Sequence, residues 1–346
     1  MNRYPVFSAL LVCGASGAVF SVLRAPLPWL VGPLLAMACG KFFGARLASP
    51  KGGRAAGQLV IGSALGLYFT PGVAGEVAAH WPLLIAAAVF AALLAYASGW
   101  FLTRTTGLDA TTALFASVPG GAAEMTILGE RFGARADRVV VAQSLRVMIV
   151  VVIVPFVFTS LGVHGIDPYR PVQLDVDAAG LLALLAMAAA AGALLARLRV
   201  PNAWMLGPLA AAIGLTVGGV GLSAMPVGLS NAAQVLLGCA LGSGFDRESL
   251  RAAPRFIAMV CVSVVLAILV SALFAWSVAL AVAVPISTMV LATAPGGMAE
   301  MCVTAKVLQL GVPLVTAAHV ARVIILVTTT APTFRMAKRL TRRLRA

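Results

Sequence analysis

The sequence predicts an all-α integral membrane protein made of two copies of one unit in opposite orientations. Three observations predict it. Of 346 residues 61% are hydrophobic and only 10% charged, where a soluble domain carries about 25% charged residues; the mean hydropathy is +1.01. The stretch PGGAAEM at 119–125 returns as PGGMAEM at 295–301, an offset of 176 residues. Basic residues, finally, gather in alternate loops, as the positive-inside bias of membrane proteins requires.

The offset recurs along the chain, which marks a duplication. Gln143 and Arg146 return as His319 and Arg322, and Gln58, Gly62 and Gly66 return as Gln234, Gly238 and Gly242. Near the start, PLPWLVGPL maps onto VPNAWMLGPL at an offset of 175, pairing Trp29 with Trp204. The chain divides accordingly into a first repeat at 1–162, a polar connector at 163–178, a second repeat at 179–334 and a basic tail at 335–346.

About ten spanning helices and two broken PGG segments follow, taking about 17 to 25 apolar residues as one crossing. The first span, near 5–23, leads through Arg24 straight into the repeated PLPWLVGPL, so it is read as a retained span rather than a cleaved signal. Further spans fall near 26–44, 56–76, 82–103 and 139–161, and in the second half near 179–196, 201–219, 229–245, 256–279 and 313–334. The PGG segments lie near 109–132 and 285–308. Proline cannot donate its backbone N–H and two glycines weaken a helix further, so each segment must break at its PGG.

Charge then sets an orientation. With the N-terminus inside and each PGG segment entering and leaving by one face, 20 of the 25 Lys and Arg lie inside. Arg24, Arg170 and Lys306 lie outside, and Arg146 and Arg322 fall within spans. Equivalent loops swap sides: 41–54 is basic while its counterpart at 218–230 is uncharged, and 70–81 lacks Lys and Arg while its counterpart carries Arg247, Arg251 and Arg255. The repeats are therefore read as inverted, a plan common in secondary transporters, with the substrate site near the midplane. If the PGG segments cross fully the repeats become parallel, and merging another pair of spans keeps the inversion; both alternatives stand open.

The candidate site is built on the breaks. A broken helix in hydrocarbon needs protein or a watery cavity to satisfy its freed backbone groups, which places Pro119, Gly120, Gly121, Pro295, Gly296 and Gly297 inside. Helix starts just after them attract anions. Glu124 and Glu300 have two readings: carboxylates capping their own helix starts, or protonatable, cation-binding groups, the usual role of an acid within the membrane. Arg146 and Arg322 either snorkel to an interface, pair with Glu124 and Glu300, or hold an anionic substrate. Gln143 and His319 lie one turn before those arginines on the same face, and His319 is a candidate for titration near neutral pH. Gln58, Gly62, Gly66, Gln234, Gly238 and Gly242 read as close helix packing, and Trp29 and Trp204 as packing or interface anchors.

The duplicated hydrophobic unit, the PGGxxEM signature and the downstream RV pair resemble the bacterial membrane AbrB family, often labelled ammonia monooxygenase or regulator. The resemblance covers essentially the whole chain. It implies a multi-pass protein of the inner membrane with cytoplasmic termini, related to cation/proton antiporters and anion transporters. An oxygenase would need clustered metal ligands, but His80, His164 and His319 are far apart, and the five cysteines lie in apolar segments without paired spacing. No enzyme activity, cofactor or metal is expected. A nucleic-acid reader would need a soluble module, so any effect on gene expression is expected to be indirect. The expected partners are the bilayer and a small-molecule or ion substrate. Small-residue stripes suit internal packing and a homo-oligomer equally well. The leading function is a secondary transporter of a small metabolite, with anions and amines both candidates, coupled to protons or cations, and the rival is a membrane sensor that binds a ligand without moving it.

Overall fold

The computed structural model describes residues 4–165, 169, 171, 175–245, 253–282 and 284–343, without the side chains of 122–123 and 330–343. Arg3, Arg170, Arg247, Arg251 and Arg345, counted in the charge bias, lie outside the described residues, as do the side chains of Arg335, Lys338, Arg339, Arg342 and Arg343. The described elements are all helices: α1 (Tyr4–Val22), α2 (Pro28–Phe42), α3 (Gly53–Gly66), α4 (Pro71–Ala79), α5 (Trp81–Thr106), α6 (Ala110–Ser117), α7 (Ala122–Arg131) and α8 (Ala136–Ser160), then α9 (Ala178–Arg197), α10 (Ala203–Val217), α11 (Val227–Gly242), α12 (Pro254–Ala281), α13 (Ile286–Thr293), α14 (Met298–Leu308) and α15 (Val312–Arg343). The bounds themselves repeat. Ala110–Ser117 shifted by 176 is Ile286–Thr293, and Pro28–Phe42 shifted by 175 is Ala203–Val217.

Local chemistry starts and stops these helices. Asp109 and Asp177 accept from the backbone N–H of Thr112 and Gly180 at 2.8 and 2.6 Å, capping α6 and α9. Prolines occupy the first turns of α2, α4, α5 and α12, where the missing N–H costs nothing. Gly107 closes α5 with a φ of 70°.

Among the described residues six helices are long and apolar enough to cross a membrane, α1, α5, α8, α9, α12 and the 312–329 part of α15, or seven if the bent pair α3 and α4 forms one broken span. Length alone does not carry the expected ten. The helices α2, α3, α10 and α11 have 15, 14, 15 and 16 residues, about 21 to 24 Å at 1.5 Å per residue against a hydrocarbon core of about 30 Å. The expected span at 56–76 is corrected most: α3 ends at Gly66, and the chain turns by 92° into α4. Thr70 caps that new helix and Pro71 opens it, so the apolar run is split by a strong start signal. At the other end, α15 continues as helix to Arg343 through most of the expected tail. Leu93 and Trp100 of α5 and Leu269, Leu273 and Trp276 of α12 lie exposed on the outside, an apolar surface suited to lipid.

Glycine faces join the two halves. A Cβ added at Gly62 would lie 2.6 Å from Met205 O, and one at Gly66 2.8 Å from Leu209 O. One turn along α3 thus matches one turn along α10, and the two helices run side by side in the same direction. The same holds for α11 on α2, where Gly238 lies against Leu30 and Pro33 and Gly242 against Leu34 and Met37. Trp29 and Trp204 pack on Gly17 and Gly192 within the α1–α2 and α9–α10 pairs, which makes them packing residues.

Candidate functional site: two facing helix breaks

Each PGG segment folds into a hairpin of two short helices. In the first, α6 and α7 have 8 and 10 residues, and in the second α13 and α14 have 8 and 11. At 1.5 Å per residue each arm is about 12 to 16 Å long, half of a hydrocarbon core of about 30 Å. The two ends of each hairpin meet. Arg135 N donates to Thr112 Oγ1 at 2.9 Å, and at the equivalent place Gly311 packs on the Thr288 side chain. The tips meet as well: Pro119 and Pro295 line one crevice of about 30 Å³ with Arg146 and Thr293.

Beside this crevice lies a cavity of about 380 Å³, lined by Pro119, Gly120 and Gly121 of one tip and Gly296, Gly297, Met298 and Glu300 of the other. Arg54, Gln58, Gln143, Ser144, Arg146, Asn202 and Arg322 supply its polar wall, and Ile127, Val140, Val147 and Leu241 its apolar one. Breaking a helix strands the last carbonyls of its first half. Arg146 Nη1 donates to Ser117 O at 3.0 Å, while Arg322 donates to Ala294 O and Gly296 O, both at 2.7 Å. Gln143 Nε2 reaches Phe115 O and Val118 O at 2.8 Å and its Oε1 accepts from Arg146 Nη2 at 2.7 Å. His319 Nε2 donates to Leu291 O, the counterpart of Phe115 O, at 3.0 Å.

Two expectations are corrected here. The arginines do not snorkel: Arg146 and Arg322 are 6% and 3% exposed and point inward. Nor do they pair with the glutamates, because among the described residues ion pairs are confined to Arg135–Asp137 and Arg138–Asp137. The stranded carbonyls carry the negative end of a helix dipole and lie one side-chain length from α8 and α15, so they take the guanidinium groups. Arg146 Nε, Arg322 Nε and His319 Nδ1 are buried without a hydrogen-bond partner among the described residues.

Glu124 and Glu300 are the third residues of α7 and α14, and each carboxylate turns back over the start of its own helix. A Cβ added at Gly121 or Gly297 would collide with Glu124 Oε2 or Glu300 Oε2. Gly121 also has a φ of 89°, a conformation suited to glycine. The glutamates therefore sit where a capping carboxylate belongs, and Glu300, 4% exposed, also lines the cavity.

Sequence reasoning missed Asn202 and undervalued Gln58 and Arg54. Asn202 stands before α10 with a φ of 57°. Its Oδ1 accepts from Gln58 Nε2 at 2.9 Å, its N–H donates to Glu124 Oε1 at 3.3 Å, and its Nδ2 lies 3.9 Å from Met298 Sδ. One residue so links α3 to both breaks, through its side chain to Gln58 and Met298 and through its backbone N–H to Glu124. The signal was available: the counterpart of Asn202 is Leu27, which is fully buried and has the same backbone twist at φ 47°. Gly62, Gly66, Gly238 and Gly242 stay in helix contacts, and Gln234 is buried on α11.

A separate cavity of about 370 Å³ lies at the feet of the second hairpin, lined by Ser287, Thr288, Gln309 and Gly311 together with Glu76, His80, His164 and Tyr169. The hairpin runs from this cavity to the one at its tip.

The family description "AbrB: Transition state regulatory protein AbrB" matches residues 29–338, nearly the whole span from α2 to α15. The chain belongs to the AbrB family. Within AbrB it is 28% identical over 307 residues to the Escherichia coli (strain K12) protein named "Putative regulator AbrB", covering 87% of this chain and 85% of that one. It is 27% identical over 351 residues to the Bacillus subtilis (strain 168) protein named "Uncharacterized protein YhjN", covering 94% and 91%. No solved structure matches the chain. Both hairpins of this AbrB chain fall inside the matched region.

Proposed function

We propose that this AbrB protein is a secondary transporter of a small anionic metabolite, coupled to protons or cations, in the inner membrane with both termini in the cytoplasm. The observation that carries it is the meeting of two half-depth helix hairpins, tip to tip, beside a cavity that holds buried arginine, glutamate and amide groups. Irregular backbone at this depth is tolerated only where it is buried in protein or lines a cavity, and discontinuous helices facing a midplane site are the plan of many transporters.

Several features support inverted repeats and about ten crossings, with α2, α3, α10 and α11 as short inner spans. The equivalent helix pairs α3 with α10 and α11 with α2 have the same geometry. Hairpins whose tips meet while their feet are apart enter from opposite faces, and a second cavity at one pair of feet supplies an outer approach to the same centre. Glu300 is the favoured coupling carboxylate because it is buried, lines the cavity and sits at a tip. No step here asks for bond chemistry, so the protein is not read as an enzyme, and any effect on gene expression would follow indirectly from the metabolite moved.

The test uses purified protein in liposomes with a trapped pH dye, to which small carboxylates are added one at a time. Proton movement that depends on the carboxylate and vanishes in Glu300→Gln, with the variant still folded, is the expected result. Full proton-linked transport in Glu300→Gln removes this carboxylate from the mechanism, and absence of any flux with a bound ligand replaces the transporter by a sensor.

A further inference from the structure

We infer that the tip cavity selects a compact organic monoanion with an apolar body, its charged end held at Arg54 beside Gln58 and Asn202. The inference rests on the transporter reading only in taking this cavity as the substrate site. Formal charge at the breaks cancels. Arg146 and Arg322 donate to the carbonyl ends of α6 and α13, Glu300 lines the same cavity and half-buried Glu124 accepts from Asn202 N–H at its edge, two cations and two anions around the breaks. Arg54 is the cation left over. It lies in the first turn of α3, where the helix dipole is itself positive, and it has no ion-pair partner among the described residues. A basic residue at that end raises the local potential instead of offsetting it, and a single negative charge restores the balance.

The neighbours fit one carboxylate. Gln58 uses one amide hydrogen on Asn202 Oδ1 and keeps a second, and Asn202 Nδ2 faces only the weak sulfur acceptor of Met298. The lining also includes the aliphatic side chains of Ile127, Val140, Val147 and Leu241, which suit a hydrocarbon body. At about 30 Å³ for each water-sized piece, the 380 Å³ hold a molecule on the order of ten heavy atoms. The opposite repeat lacks this chemistry: the counterpart of Arg54 is Ser230 and that of Asn202 is Leu27. Anion recognition is thus confined to one end of a duplicated frame.

The experiment measures binding to the full-length protein in detergent by calorimetry, with four probes of one shape: benzenesulfonate, benzoate, isophthalate and benzylamine. Benzenesulfonate and benzoate should bind at least tenfold more tightly than isophthalate and benzylamine, and Arg54→Gln should weaken both monoanions at least tenfold while Arg54→Lys recovers part of the loss. Tighter binding of isophthalate or benzylamine overturns the proposal, and so does undiminished benzoate binding by folded Arg54→Gln. If that variant does not fold, the order of the four probes on the unaltered protein decides alone. Selective binding of monoanions without flux in liposomes leaves this inference standing and removes the transporter reading.

Discussion

Removing the Arg322 guanidinium tests the idea that arginines, not glutamates, complete the broken helices. Arg322 is 3% exposed and donates to Ala294 O and Gly296 O, each at 2.7 Å. Hydrogen bonds to a charged group contribute about 1.5 to 3 kcal/mol each, whereas side-chain bonds within membranes average about 0.6 and reach about 1.7 kcal/mol because the unfolded chain finds other partners there. Carbonyls at a PGG break have no helical partner to return to, so the upper end of the membrane range applies. Two bonds then give about 3 kcal/mol for Arg322→Met. At about 2 °C per kcal/mol for a large chain, the melting temperature in detergent should fall by about 6 °C. Arg322→Lys keeps one point-like donor in place of the fork and should lose about half as much. A melting temperature unchanged in Arg322→Met, or an equal loss in the lysine variant, refutes the reasoning.

Other outcomes follow from the same geometry. His319→Gln copies Gln143 of the other repeat, so proton-linked flux should persist with an unchanged pH profile; loss of flux in a folded variant would mean that the imidazole itself titrates in the cycle. Asn202→Leu copies Leu27 and removes the side-chain contacts with Gln58 and Met298 while keeping the backbone N–H on Glu124, and flux should drop at least tenfold with little loss of folded protein on size exclusion. Gly66→Val forces a side chain into Leu209 O and Ala212 and should cost about 1 to 3 kcal/mol, as overpacking does. Gly14→Ala meets nothing within 4 Å and should stabilise α1 by up to about 1 kcal/mol through helix propensity; thermal melts of the two read the difference directly.

What was legible in the sequence was whatever is written in residue type. Pro-Gly-Gly in an apolar run marks a helix break wherever it occurs, and the offset of 176 residues told that there are two. The face shared by Gln143 and Arg146, and by His319 and Arg322, followed from helical spacing alone. The partners of those arginines did not, because a backbone carbonyl at a helix end has no letter; reasoning from letters pairs charge with charge. The early end of α3 was hidden for the opposite reason. The run at 56–76 stays apolar across the turn, and only Thr70 followed by Pro71 announces a new start. Asn202 escaped because its weight lies in departing from Leu27, whereas a duplication shows itself through matches between the halves.

The pairing of α3 with α10 and of α2 with α11 bears on how the protein is made. When the ribosome has released the first half, the bare flanks of Gly62 and Gly66 have nothing to rest on, since their seats at Met205 and Leu209 are still unsynthesised. The newborn repeat must wait in the membrane, half-finished, until its twin arrives. Cutting the gene at the connector should therefore yield two short-lived fragments that survive only when produced together.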